Sequence, residues 1–139
     1  YGERRTLMKK IKDVSKMAGV SIRTLQYYDN EGLTNLHRTK DNHRLYQKKD
    51  LEQIWKILIY KEMDFQIVQI KELLTLPANK QITYIEKRKE DLNNQIANLV
   101  KKEQFIQWIE EEGMPDIPPL GLSISYKEYI SKLKNKIVK

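Results

Sequence analysis

The residues of this chain that could do chemistry are cations set among aromatics. Between His37 and Asp50 stand Arg38, Lys40, Arg44, Lys48 and Lys49, against only Asp41 and Asp50, with Tyr46 interleaved. Guanidinium and ammonium groups beside an aromatic ring suit contact with phosphate at the edge of a nucleic-acid groove, and a solvated charged loop is the plainer alternative. A second set lies upstream, where Arg23, Thr24 and Tyr27 follow Ser21 at spacings that put them on the outer side of a short helix. Catalytic chemistry has no comparable footing. Both histidines, His37 and His43, fall in the basic segment, there is no Cys, and no Gly-rich phosphate loop, Ser/His/Asp set or carboxylate pair is present. No catalytic residue, metal site or cofactor is therefore assigned, and the chain is not read as an enzyme.

The frame for these groups begins at Ile11. Ile11, Val14, Met17 and Ala18 recur at helical spacing, Gly19 interrupts them, and Ser21 can cap a second helix whose Leu25 and Tyr28 point inward. Helix, turn, cap and second helix make a helix-turn-helix, although an ordinary αα-hairpin would share the pattern. Leu36 to Tyr46 reads as a hairpin wing turning at Asp41-Asn42. The next helix carries Leu51, Ile54, Trp55, Leu58 and Ile59 on one face, which places Trp55 in the core, and a fourth helix spans Ile67 to Leu76 with Ile67, Ile70 and Leu74 inward, closed by Pro77.

Beyond Pro77 the pattern changes. From Gln81 to Glu112 there is no Gly or Pro, and Ile85, Leu92, Leu99 and Ile106 recur every seven residues, flanked by Ile82, Ile96 and Ile109. A helix of roughly 45 Å needs either a partner helix or a surface to fold back on; Arg88, Gln95 and Lys102 interrupt its companion column. Gly113 ends it, a run with three prolines follows, and Ser125 with Glu128 opens a final helix bearing Tyr126, Tyr129, Ile130, Leu133 and Ile137. Trp108, Met114, Ile117, Tyr126 and Tyr129 around this connection could line a pocket for a small organic effector, or simply pack together.

The chain has 139 residues, 40% hydrophobic content and a formal net charge of +7, enough for one small domain with an extension and a modest argument for a polyanionic partner. No apolar run spans a bilayer, so no membrane role and a soluble cytoplasmic protein are expected. Residues 1–7 are expected to be an added or disordered lead before a natural start at Met8.

AGVSIRTLQYYDNEGL, continued by RTKDNHRLY (Arg38 to Tyr46) and DLEQIWKILIYKEMDF (Asp50 to Phe65), closely resembles the N-terminal domain of MerR-family transcription regulators. The resemblance implies that Arg23, Thr24 and Tyr27, with Ser21 at the helix start, meet the major groove and adjoining backbone. It further implies that Arg38, Arg44 and Tyr46 grip phosphate from the wing, and that Lys61, matching a basic residue near a second wing, belongs to the DNA-binding set. It also implies an antiparallel coiled coil through Ile85, Leu92, Leu99 and Ile106 that makes a homodimer. Such a dimer binds a two-fold operator in double-stranded promoter DNA and distorts it for RNA polymerase. Against the family pattern Gln26 stands for an Arg, Asn42-His43 for Gly-Tyr, Leu36 for Pro, Asp64 for Gly and Gln47 for Ser or Thr; the lack of Cys removes thiol-based metal or redox sensing.

The expected fold is mainly α. A winged helix-turn-helix domain with a small β-hairpin wing occupies residues 8–76, a long dimerisation helix 77–112, and a Pro-rich connection with a short C-terminal helix 113–139. The expected function is a dimeric, sequence-specific DNA-binding transcription regulator that activates by promoter distortion. The alternative is a non-catalytic coiled-coil interaction protein with weak or lost DNA binding.

Overall fold

Gly19 lies at φ 71°, the left-handed region that other L residues enter at a cost of about 1–2 kcal/mol, and its N–H donates to the Ser15 carbonyl at 3.0 Å. In the computed structural model, which describes residues 8–138, this ends α1 (Ile11–Ala18). The Ser15 hydroxyl secures the turn by donating to the Val20 carbonyl at 2.6 Å. α2 (Ile22–Asn30) then starts on Ser21, whose Oγ accepts from the Thr24 N–H at 3.0 Å. Val14, Leu25 and Tyr28 are buried where the two helices pack, as a helix-turn-helix requires. The expectation for residues 1–7 lies outside the described residues.

The wing is a three-stranded antiparallel sheet rather than a two-stranded hairpin. β1 (Lys9–Lys10) pairs with β3 (Arg44–Tyr46), and β3 pairs with β2 (His37–Arg38), in the order β1-β3-β2. Its turn places Asn42 at φ 62°, a conformation Asn tolerates, with the Asn42 N–H on the Thr39 carbonyl at 2.9 Å.

α3 (Lys48–Glu62) is capped from inside, since the buried Asp50 carboxylate accepts from the Gln47 N–H at 2.8 Å. Its buried face is Asp50, Ile54, Ile57 and Tyr60, which shares only Ile54 with the expected stripe. Trp55 is 66% exposed and Ile59 39%, correcting the assignment of Trp55 to the core. Trp55 and Met17 stand instead at the rim of a shallow groove of about 120 Å³ between α1 and α3. α4 (Ile67–Leu73) buries Ile70 and Leu73 and stops short of Leu76. Tyr60 meets Phe65 edge-on with ring centroids 6.0 Å apart.

α5 (Ala78–Glu112) begins directly after Pro77, whose carbonyl accepts from both the Lys80 and Gln81 N–H groups. The Gln81 amide turns back and donates to the Leu73 and Leu76 carbonyls at 2.8 and 2.9 Å, satisfying acceptors that the end of α4 leaves open. The first compact unit runs to Tyr84, and a second starts at Ile85 with the rest of α5. In that second unit α6 (Tyr126–Ile137) is capped by Ser125, whose Oγ accepts from the Glu128 N–H at 3.1 Å. No α5 residue is buried. Among the described residues no helix is long and apolar enough to cross a membrane.

The Tyr46 ring is 0% exposed and its hydroxyl has no hydrogen-bond partner among the described residues. Burial, reinforced by the charges of Asp29 and Asp50 and opposed by Arg44, pushes its pKa from 10.0 up to about 12. Because the folded value lies above the unfolded one, its contribution to stability is complete below pH 10 and is lost as pH rises to about 12. Tyr46→Phe is expected to keep neutral-pH stability or raise it by about 1 kcal/mol, and to soften alkaline unfolding, both read from urea denaturation. A loss of stability at neutral pH would mean that the hydroxyl is satisfied.

Candidate nucleic-acid interface

α2 presents two faces of opposite character. Leu25 and Tyr28 are buried, while Arg23, Gln26, Tyr27 and Asn30 follow the i, i+3, i+4, i+7 rhythm on the other side. Thr24 is engaged locally, its hydroxyl 2.9 Å from that of Ser21. The outward face of this helix is thus one cation, one phenol and two carboxamides, close to a helix N-terminus that itself favours anions.

The wing is tied to α2 through one carboxylate. Asp29 Oδ2 accepts from Arg44 Nε at 3.0 Å and from an Arg38 terminal nitrogen at 3.3 Å, while its Oδ1 accepts from the Thr34 hydroxyl at 3.3 Å. The Arg44 side chain is only 16% exposed and that of Arg38 37%, so the first pair is the better shielded from solvent. Arg38 also donates to the Asn42 carbonyl and side-chain oxygen, at 3.3 and 3.4 Å, which ties the turn to the same cluster. Two guanidinium groups meet one carboxylate, leaving the cluster net positive.

Tyr46 does not join this surface. It shares a face of β3 with Arg44, but α1 and α3 both pack against this strand and the ring is fully enclosed; its expected role as a phosphate contact is corrected to a core residue. Ser21, Arg23, Thr24 and Tyr27 lie together on α2, Arg38 and Arg44 beside them on the wing, and Lys61 is exposed at the end of α3, ahead of Asp64 at φ 63°. Sequence reading missed Lys10 and Lys12, which with His43 line a cleft of about 390 Å³ between the start of α1 and the wing tip. The lysine cluster ahead of the helix-turn-helix was the available signal. Among the described residues no group of three or more His, Asp or Glu side chains gathers where a metal ion could sit.

In the second unit Leu92, Leu99 and Ile106 are exposed and Ile85 partly so. Ile117, Tyr126 and Tyr129 come together with Pro115, Pro118 and Leu133 around a cleft of about 220 Å³. Trp108 and Met114 do not line it, which corrects the expected pocket: Met114 is 82% exposed just past the helix end, where the chain has not yet turned back toward α6.

Residues 9–76 match the family model described as MerR HTH family regulatory protein. The chain is 41% identical over 123 residues to the HTH-type transcriptional activator mta of Bacillus subtilis (strain 168), covering 88% of this chain and 44% of that protein. It is 35% identical over 89 residues to the HTH-type transcriptional activator TipA of Streptomyces coelicolor, covering 63% and 35%. The chain therefore spans less than half the length of these relatives. Among solved structures it resembles MtaN, the N-terminus of the Bacillus subtilis multidrug transporter activator, with a TM-score of 0.65 and 34% identity over 77% of this chain and 99% of that one.

Asp29→Ala is expected to lower stability by about 1–3 kcal/mol, since it leaves the enclosed Arg44 without its carboxylate, whereas Arg38→Ala at the more exposed pair costs under about 1 kcal/mol. Thermal and urea unfolding of the two variants check this. Equal stability of both would remove Asp29 as the clamp.

Proposed function

The chain belongs to the MerR family of helix-turn-helix regulatory proteins, and from that premise we propose that it is a homodimeric, sequence-specific regulator of transcription. It binds a two-fold operator in double-stranded promoter DNA in the cytoplasm and activates by distorting the promoter for RNA polymerase. The observation that carries this reading is the polar outer face of α2 beside a cationic wing held to it by Asp29. Ser21, Arg23, Thr24 and Tyr27 address the major groove and its rim, and Arg38, Arg44 and Lys61, joined by Lys10 and Lys12, address phosphate. A mobility shift on the promoter upstream of its own gene, repeated across salt concentrations, tests it: affinity should fall steeply, with a log-log slope of about −0.9 for each neutralised phosphate. Binding that ignores salt would remove the basic face from the interface.

The dimer forms through Ile85, Leu92, Leu99 and Ile106 in an antiparallel pair of α5 helices. Replacing Leu92 and Leu99 together by Lys puts charges into that apolar seam. Sedimentation should then show monomers, and operator affinity should fall at least tenfold because the half-sites are no longer engaged together. A double variant that remains dimeric would place the contact elsewhere.

The cleft of Ile117, Tyr126 and Tyr129 is the seat for a small organic effector. An effector acts only by binding two DNA-competent states unequally, so it should change transcription more than operator affinity. Removing residues 122–139 is expected to leave operator binding intact while in vitro transcription is lost or becomes constitutive. Simultaneous loss of dimer and binding would make the segment structural.

A further inference from the structure

We infer that Gln26 reads an adenine in the major groove of each operator half-site, an assignment that rests on the DNA-binding reading above. The outward face of α2 offers few uncommitted polar groups. Thr24 is joined to Ser21, and Asn30 Oδ1 accepts weakly from Arg44 at 3.5 Å. Both wing guanidinium groups are held at Asp29, a placement that suits backbone phosphate and not base edges. Among the described residues Gln26 makes no side-chain hydrogen bond, and the residue is partly buried, which limits the rotamers its amide must give up on binding.

The chemistry of that amide selects the base. It carries an acceptor oxygen and an NH2 donor side by side on one carbon, matching the N6 amino group and N7 of adenine in a two-point contact. Guanine offers two acceptors at the same place and would leave the amide oxygen unpaired. Arg23, with parallel N–H donors, has the opposite preference. Three residues along a helix advance about 4.5 Å, close to one base-pair step of about 3.4 Å, so Arg23 and Gln26 address neighbouring pairs.

Selection of binding sites from a random duplex pool, using the full chain and its Gln26→Arg and Gln26→Ala variants, tests the assignment. Wild-type sites should carry one fixed adenine per half-site; Gln26→Arg should exchange it for guanine at that position alone, and Gln26→Ala should leave it undetermined. On the selected site, 7-deaza-adenine at that position should weaken the wild type by about tenfold and leave Gln26→Ala unchanged. Identical sites from wild type and Gln26→Arg would overturn the role of Gln26 while leaving DNA recognition intact. A wild-type pool without enriched sites would overturn the DNA-binding reading and this assignment with it. If a variant fails to fold by circular dichroism, the 7-deaza measurement on the wild type decides alone, an unchanged affinity overturning the assignment.

Discussion

α2 and the wing are held in one geometry by the carboxylate of Asp29. By itself this residue is badly placed, because it adds negative charge to the last turn of α2, where the helix dipole is already negative. Arg38 and Arg44 reverse the balance, and Thr34, itself buried, donates a third hydrogen bond. Two cations on one anion leave a net positive group at the junction, so the contact that stabilises the fold also leaves positive charge beside the outer face of α2. The rest of the wing depends on it: Arg38 reaches from Asp29 to the Asn42 turn, and that turn sets the register of β2 against β3.

Much of this was legible in the residues, for reasons that are local. Gly19, Ser21 and Ser125 act on their immediate neighbours, so their roles as stop and caps can be read from spacing alone. Asn42 and Asp64 both adopt positive φ where glycine would be easiest, and short polar side chains that bond to nearby backbone are the ones that tolerate it. The cap of α3 was half legible: Gln47 stands where Ser or Thr is usual, and the bond comes from Asp50 three residues on, which accepts the Gln47 N–H.

What escaped was phase and partnership. The stripe read on α3 and the one that is buried differ by a rotation of the helix. Periodicity fixes that a face is apolar, whereas which neighbours cover it depends on α1, α4 and the sheet at once. Trp55 and Met17, both large and apolar, therefore lie at a groove rim. Tyr46 failed in the opposite sense. An aromatic among cations suggests a surface, but α1 and α3 both pack against β3 and the ring is enclosed, a partnership that the local sequence around Tyr46 does not announce. The Asp29 contacts were invisible for the same reason, since they join residues 9 and 15 positions apart.

α5 raises the remaining constraint. A two-fold operator presents half-sites at a fixed separation, and a recognition helix can use them only if two copies are presented at that separation. Such a device must be stiff and must be anchored where it starts. α5 is uninterrupted over its 35 residues, and its first turns are fastened to α4 by Gln81 on the Leu73 and Leu76 carbonyls and by the Tyr84 hydroxyl on Glu72 at 2.7 Å. Its exposed apolar stripe cannot be covered by anything in the helix itself, which presents no buried residue along its whole length. On the proposed reading, base recognition by α2 and apolar exposure on α5 answer one requirement, since two half-sites engaged together bind more tightly than either alone.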